Sequence, residues 1–392
     1  MNQKLRNMNK GIDRTSSHTI KWRNFLFFTI TFAVSIIGVP IYIYAHGITA
    51  ADVILFGFWS TVTGLAITVG YHRLLAHRAF KAHPLLVFLS LFFGAAAFEE
   101  SALQWTSQHR DHHKYVDTDR DPYNIKQGFF YAHIGWILFH NHPIDYENVK
   151  DLQRNKFIMH QHQNYVPWAV TAGILLPLLT GILWSNWLSA LLISVFARLT
   201  FVHHGTFFIN SVCHYFGKPT YDIQSSAKDH WLVAFITNGE GYHSFHHRFP
   251  SDYRNGHKWY HWDPSKWVIA LMDRVGLTWD LKRVSKFQIL AARITAERAI
   301  VESYLNCHSH TVRVAALENL KVRYEQLKQV LYAWELHVKE YAVLCREAQA
   351  KSELVKSALK RAHDARRTFL QMRAQWGRLI EKPAIVFSFD FA

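Results

Sequence analysis

The chain has 392 residues, 49% hydrophobic and 15% aromatic, with a formal net charge of +15. That is ample for a large core. Three cysteines without paired spacing (Cys213, Cys307, Cys345) exclude a disulfide framework and a thiolate metal site. The basic excess reads as membrane topology and attraction to an anionic leaflet, and no nucleic-acid-binding module accompanies it.

Residues 1–23 form a basic N-terminal segment holding Lys4, Arg6, Lys10, Arg14, Lys21 and Arg23. Uncharged apolar runs follow at 24–45 and 53–71, and again at 166–184. A fourth, at 187–208, is interrupted only by Arg198. Each approaches the roughly 20 residues a helix needs to cross hydrocarbon, so four spans are expected. The turns His46 to Asp52 and Ser185-Asn186 lack Lys and Arg. By the positive-inside rule the N-terminus, the middle loop and the C-terminal half lie in the cytosol. Arg198 is expected near the cytosolic end of its span, where it can snorkel. The apolar segment 85–98 is short for a span and is placed in the membrane interface. The first run lacks a small-residue cleavage site and is read as a retained span, and no lipidation or retention motif is found.

Nine histidines fall into fixed groups: His72 and His77 in HRLLAH, His109, His112 and His113 in HRDHH, and His243, His246 and His247 in GEGYHSFHH. His214 closes NSVCH, which begins at Asn210. Positions i, i+3 and i+4 share a helix face, so each H-x-x-H-H can aim three imidazoles at one point. Asn210 and His214 share a face in the same way. On an α-helix His72 and His77 stand about 140° apart, so they are expected to approach a site from two directions. Such nitrogen-rich ligation suits iron, zinc or copper. Nine imidazoles exceed the needs of one ion, so two metals are expected.

In this order, with the stretches GYHRLLAHRAFKAH, WTSQHRDHHKYVDTDRDPYN, GFFYAHIGW, NSVCHYFG and WDPSKW, the boxes resemble the membrane fatty-acyl desaturases. Within them the resemblance is to the acyl-CoA Δ9 (stearoyl-CoA-like) branch, from about Thr63 to Trp267. It implies an all-α membrane protein with four spans, a cytosolic helical cap holding a di-iron site, and O2-dependent insertion of a cis double bond into a long-chain acyl-CoA. The implied iron ligands are His72, His77, His109, His112, His113, His214, His243, His246 and His247, with Asn210 acting through water. Asp111, Asp117, Asp119, Asp121 and Glu240 are candidates to orient the imidazoles from behind. Ser244 stands where relatives more often carry Asn. Arg110, Asn124 and Lys126 are candidates for a CoA or other headgroup, or are plain positive-inside charge.

A lipid hydroxylase on the same scaffold is the nearest alternative. A metal transporter would need polar ligands lining a path near mid-membrane, which the apolar runs do not offer. His203 and His204 are read as hydrogen-bonded structural residues, and His140, His142, His160 and His162 as surface. The membrane is a bacterial inner membrane or endoplasmic reticulum.

Beyond Trp267 the resemblance fades, and residues 24–280 are read as the desaturase domain with 281–392 as a helical cytosolic tail. Leu317, Leu320, Tyr324, Leu327, Leu331, Trp334, Val338, Tyr341 and Cys345 alternate three and four apart, a heptad seam. This is expected to form a hairpin or coiled coil, within the chain or between two copies, or a helix packed on the catalytic domain. The tail lacks the HPGG of a fused cytochrome b5. A separate donor (ferredoxin, rubredoxin or cytochrome b5 type, with a reductase) is therefore implied, which the tail could dock.

Overall fold

The computed structural model describes residues 19–139, 144–184, 186–306, 310–347 and 353–381. Expectations for Lys4, Arg6, Lys10, Arg14, His140, His142, Ser185 and Cys307 fall outside them.

Among the described residues four helices are long and apolar enough to cross a membrane: Trp22–His46, Ala50–Ala76, Tyr165–Trp184 and Trp187–Tyr215. These are spans one to four. Spans two and four are half buried, whereas one and three are only 17% and 28% buried. Two and four therefore form the centre, and one and three face lipid. Both central spans outrun their apolar cores and carry the chain on to His72 and His214. Thr49 starts span two with a reciprocal capping box to Asp52, which satisfies end amides that lipid cannot.

Arg198 does not snorkel. It is fully buried in span four and donates to Ala96 O (2.7 Å), Gly173 O (2.6 Å) and Ser194 O (3.1 Å). A guanidinium with this many carbonyl partners ties span four to span three and to the segment after α1 (Pro84–Ala95). Snorkelling would forfeit all of these bonds. The α1 helix lies between the second span and α2 (Ala102–Tyr115). Its Leu91 and Ala95 are buried while Leu85, Phe88 and Leu89 are exposed, an interfacial pattern.

The cap adds α3 (Trp231–Ile236), α4 (His243–Arg248) and α5 (Pro264–Arg274). It is not wholly helical. β1 (Lys81–Ala82) pairs antiparallel with β2 (Thr278–Trp279), Lys81 opposite Trp279, and so joins the start of α1 to the end of α5.

The tail contains α6 (Lys286–Leu305), α7 (His310–Glu347) and α8 (Glu353–Glu381). The heptad seam is closed within the chain: Leu320, Tyr324, Leu327, Leu331 and Trp334 bury against Phe369, Trp376 and Leu379 of α8 and Phe287 of α6. Of the expected arrangements, the intramolecular hairpin is the one present. Tyr341 is half-buried and Cys345 exposed, so the seam ends before its last two members. At its root the tail touches the cap, where Ile289 packs on Tyr221 and Phe245.

Candidate metal centre

The first box is built on an unusual backbone. Residues Ala66–Ala76 wind as a π-helix, and His77 N donates to His72 O at 3.0 Å. Five-residue hydrogen bonding brings His77 back toward His72, and their rings meet edge to face 4.8 Å apart. The α-helical estimate of about 140° therefore fails, because it assumed the wrong period. The second box rides on α2, started by Ser101 Oγ accepting from Gln104 N. The third occupies α4, and span four delivers His214.

Ligand atoms of His72, His77, His109, His113 and His246 lie within 4.8 Å of one another, and those of His112, His214, His243 and His247 form a second group. The three histidines of one box do not meet at one point, contrary to expectation. The i,i+4 pairs (His109 and His113, His243 and His247) stay together, while His112 and His246 cross to the other group. Each H-x-x-H-H thus serves both groups and fixes their separation. Asn210, one turn before His214, lines a cavity beside His243.

Within the groups, Nε2 atoms approach closely: His77 to His109 at 2.8 Å, His72 to His246 at 3.0 Å, and His214 to His243 at 3.0 Å. Three of the outward nitrogens have close polar partners. Asp121 Oδ1 is 2.8 Å from His112 Nδ1, and Glu240 Oε2 is 2.8 Å from His72 Nδ1. His214 Nδ1 donates to Ser226 Oγ (2.7 Å), which donates to Asp117 Oδ1 (2.5 Å). With protons held on the outside, inward lone pairs converge, an arrangement that a cation between them satisfies. Burial, reinforced by neighbouring imidazoles, holds His77, His109, His113, His243, His246 and His247 well below the ordinary histidine range. They are neutral at pH 7 and can ligate. The donor set fits two metal ions.

Of the five acids weighed from sequence, Asp121 and Glu240 stand directly behind histidines and Asp117 acts through Ser226. Asp111 accepts from Asn148 Nδ2 instead (2.9 Å), and Asp119 is exposed. Burial pushes Asp121 up, but His112 and the Tyr123 and Asp117 amides outweigh it, so its carboxyl stays below the usual range. Removing such a partner costs 10–100-fold in metal affinity or activity. Asp121→Asn is therefore expected to weaken metal binding by roughly that factor, read as metal retained against a chelator.

Sequence reasoning missed Arg73, which stands inside the first box. Its guanidinium meets Glu240 Oε1 (2.8 Å), Asp263 Oδ1 (3.0 Å) and Tyr253 O (2.8 Å), fully buried. Asn255 Nδ2 donates to Glu240 Oε2 at 2.6 Å. Burial raises Glu240, yet the neighbouring His72 and Arg73 lower it further, so it remains a carboxylate. Ser244 turns away from the histidines: its Oγ accepts from Tyr221 N at 3.1 Å.

A cavity of about 470 Å³ runs beside both groups. Ser60, Gly64, Phe201 and Gly205 of spans two and four form one part of its wall, and Lys21, Arg23 and Arg120 another. Trp105, stacked on His109 at 4.8 Å, also lines it. Glu99 accepts from Thr206 Oγ1 (2.8 Å) and Trp105 Nε1 (3.3 Å) in the same wall. It follows Phe98 and precedes Glu100, both at positive φ (56° and 73°), a strained loop that aims this carboxyl inward. Burial raises Glu99 to about 7, against its two hydrogen bonds. The folded chain keeps a proton there that the unfolded chain sheds at ordinary carboxylate pH. Stability therefore falls as pH rises from that range to about 7, and is level above it. Glu99→Gln removes this slope, so thermal melts should show wild type losing more stability than the variant between pH 5 and 8.

The headgroup candidates are placed differently. Arg110 is engaged by Asp151 (2.8 Å), Asn148 O (2.6 Å), Leu75 O (2.8 Å) and Ala76 O (3.1 Å). Asn124 is buried, donating to Thr118 O at 2.8 Å, and Lys126 is exposed. His203 Nε2 meets Ala97 O at 2.6 Å, and His204 Nδ1 pairs with His133 Nε2 at 2.9 Å. His160 is exposed, whereas His162 is half-buried against Ser101 Oγ (2.6 Å).

The sequence profile described as fatty acid desaturase matches residues 46–279. The chain is 40% identical over 245 residues to a probable acyl-CoA desaturase of Schizosaccharomyces pombe, covering 62% of this chain and 51% of that one. It is 41% identical over 253 residues to acyl-CoA desaturase 1 of Saccharomyces cerevisiae (63% and 49%). It is 34% identical over 284 residues to mouse stearoyl-CoA desaturase 4 (69% and 78%). The match spans about half the length of the two yeast relatives. With a profile match over more than half of its residues and both histidine groups assembled, the chain belongs to the fatty acid desaturase family.

Proposed function

We propose that this protein is an O2-dependent fatty-acyl desaturase that inserts a cis double bond, at Δ9, into a saturated long-chain acyl-CoA. The observation that carries this reading is two converging histidine groups beside a long cavity between spans two and four. Relatives named acyl-CoA and stearoyl-CoA desaturase support the same substrate class.

Two iron ions, held by the nine histidines with Asn210 through water, would supply the O2-derived oxidant that unactivated methylenes require. The chain's own residues do the rest. Asp121, Glu240 and the Ser226–Asp117 pair fix the imidazole tautomers. Phe201, Gly205 and Trp105 hold an acyl chain straight and keep water from the reacting carbons. Lys21, Arg23 and Arg120 on the cap side of the cavity, with Lys126 nearby in sequence, meet the phosphates of the headgroup; Arg110 and Asn124 shape the surrounding loops. Removing two hydrogens while O2 becomes two waters consumes two electrons, which a separate ferredoxin-, rubredoxin- or cytochrome b5-type donor provides. Both termini lie on the cytosolic side of an endoplasmic-reticulum or bacterial inner membrane.

Expression in a host lacking its own desaturase tests this. A new monounsaturated acid in the fatty-acid profile, located by mass spectrometry, is expected. A hydroxylated lipid carrying label from 18O2, or no product from metal-loaded protein supplied with each donor type, would overturn it.

A further inference from the structure

The cap exposes an aromatic surface that the chemistry of the site does not use. On α3, Val233 and Ala234 are buried while Trp231 is 75% exposed and Leu232 and Phe235 are also open. On α5, Ile269 is buried while Leu271 is 54% and Trp267 45% exposed. The two helices share this surface: Trp262 Nε1 donates to Phe235 O (3.1 Å), and the rings of Phe235, Trp262 and Trp267 follow one another at 5.2 Å and 5.4 Å. Open apolar area of this kind marks an interaction surface.

Contacts with the spans fix its depth. About 20 residues of helix cross the hydrocarbon, so a stretch counted from Ala50 ends near Val69 and one from Trp187 ends near Thr206. The cap touches the spans at this level. Thr68 Oγ1 lies 2.6 Å from Ser265 Oγ in the first turn of α5. A Cβ added at Gly205 would meet Thr237 Cγ2, just beyond α3, at 3.8 Å. Through the β1–β2 pair, the end of α5 is joined to α1, whose exposed Leu85, Phe88 and Leu89 face the same boundary.

We infer that α3 and α5 form a membrane-seated rim, with Trp231, Phe235, Trp262, Trp267 and Leu271 inserted at the boundary between headgroups and acyl chains. Tryptophan prefers that boundary because its ring is apolar and its indole N–H is not. The occupant of the surface is the lipid bilayer.

Spin labels test this on the full chain, reconstituted in palmitoyl-oleoyl-phosphatidylcholine vesicles and lacking Cys307 and Cys345. Trp231→Cys and Leu271→Cys are compared with Ile36→Cys on lipid-facing span one and Tyr332→Cys on the exposed face of α7. Labels at 231 and 271 are expected to collide with O2 more than with a water-soluble nickel chelate, grouping with position 36. Grouping with position 332 would overturn the inference. Screening from both reagents would also overturn it, since a protein would then cover the surface.

Discussion

His112→Ala and His246→Ala are each expected to abolish turnover while leaving the chain inserted and folded, but with different losses of metal. His112 belongs to the group of four histidines and His246 to the group of five. Losing one neutral donor of four leaves three, whereas the other group keeps four. Metal analysis of purified protein should therefore find His112→Ala lacking close to one ion per chain and His246→Ala less depleted. Product analysis should find neither active, because in the proposed function both ions act on one substrate. Turnover retained in either variant would contradict the assignment. Equal metal content in wild type and both variants would contradict it too.

Arg73→Ala is expected to be the most damaging single change to the fold. Its guanidinium lies between Glu240 and Asp263, all three buried. Removing one partner from a buried ionic cluster costs about 3–5 kcal/mol, because the remaining charge is left without compensation. Here two carboxylates would be left, and Glu240 also stands behind His72. Lys is no substitute, since a single ammonium cannot reproduce a fork reaching two carboxylates and Tyr253 O. The variant should melt well below wild type in detergent and lose metal on mild chelation. An unchanged melting temperature would refute the ionic account.

The spans and histidine boxes were legible because hydropathy and i,i+3,i+4 spacing are local. Spans were expected at 24–45, 53–71, 166–184 and 187–208, and they start within a few residues of those positions. What was not legible depended on backbone period or on distant partners. Nothing in HRLLAH announces a π-helix, so the relation of His72 to His77 was misjudged. Arg198 carries a charge that hydropathy pushes toward water, yet carbonyls of Ala96 and Gly173, remote in sequence, hold it inside. Arg73 was overlooked for the same reason, its acids lying far along the chain. Asp121, nine residues from His112, was close enough to be weighed, though no spacing rule separated it from Asp111 or Asp119.

The third box stands on a helix of only six residues. Fewer than two turns have no stability of their own. Phe245, in the middle of that helix, packs against Ile289 of the tail, and Asp252 just beyond it accepts from Val284 N at 2.9 Å. Three histidine side chains of the candidate metal centre thus share a brace that lies partly outside the region matched by the family profile. The helix carrying the third box is braced in part from beyond the profile match, so a graft of the desaturase core alone would have to bring a replacement brace with it.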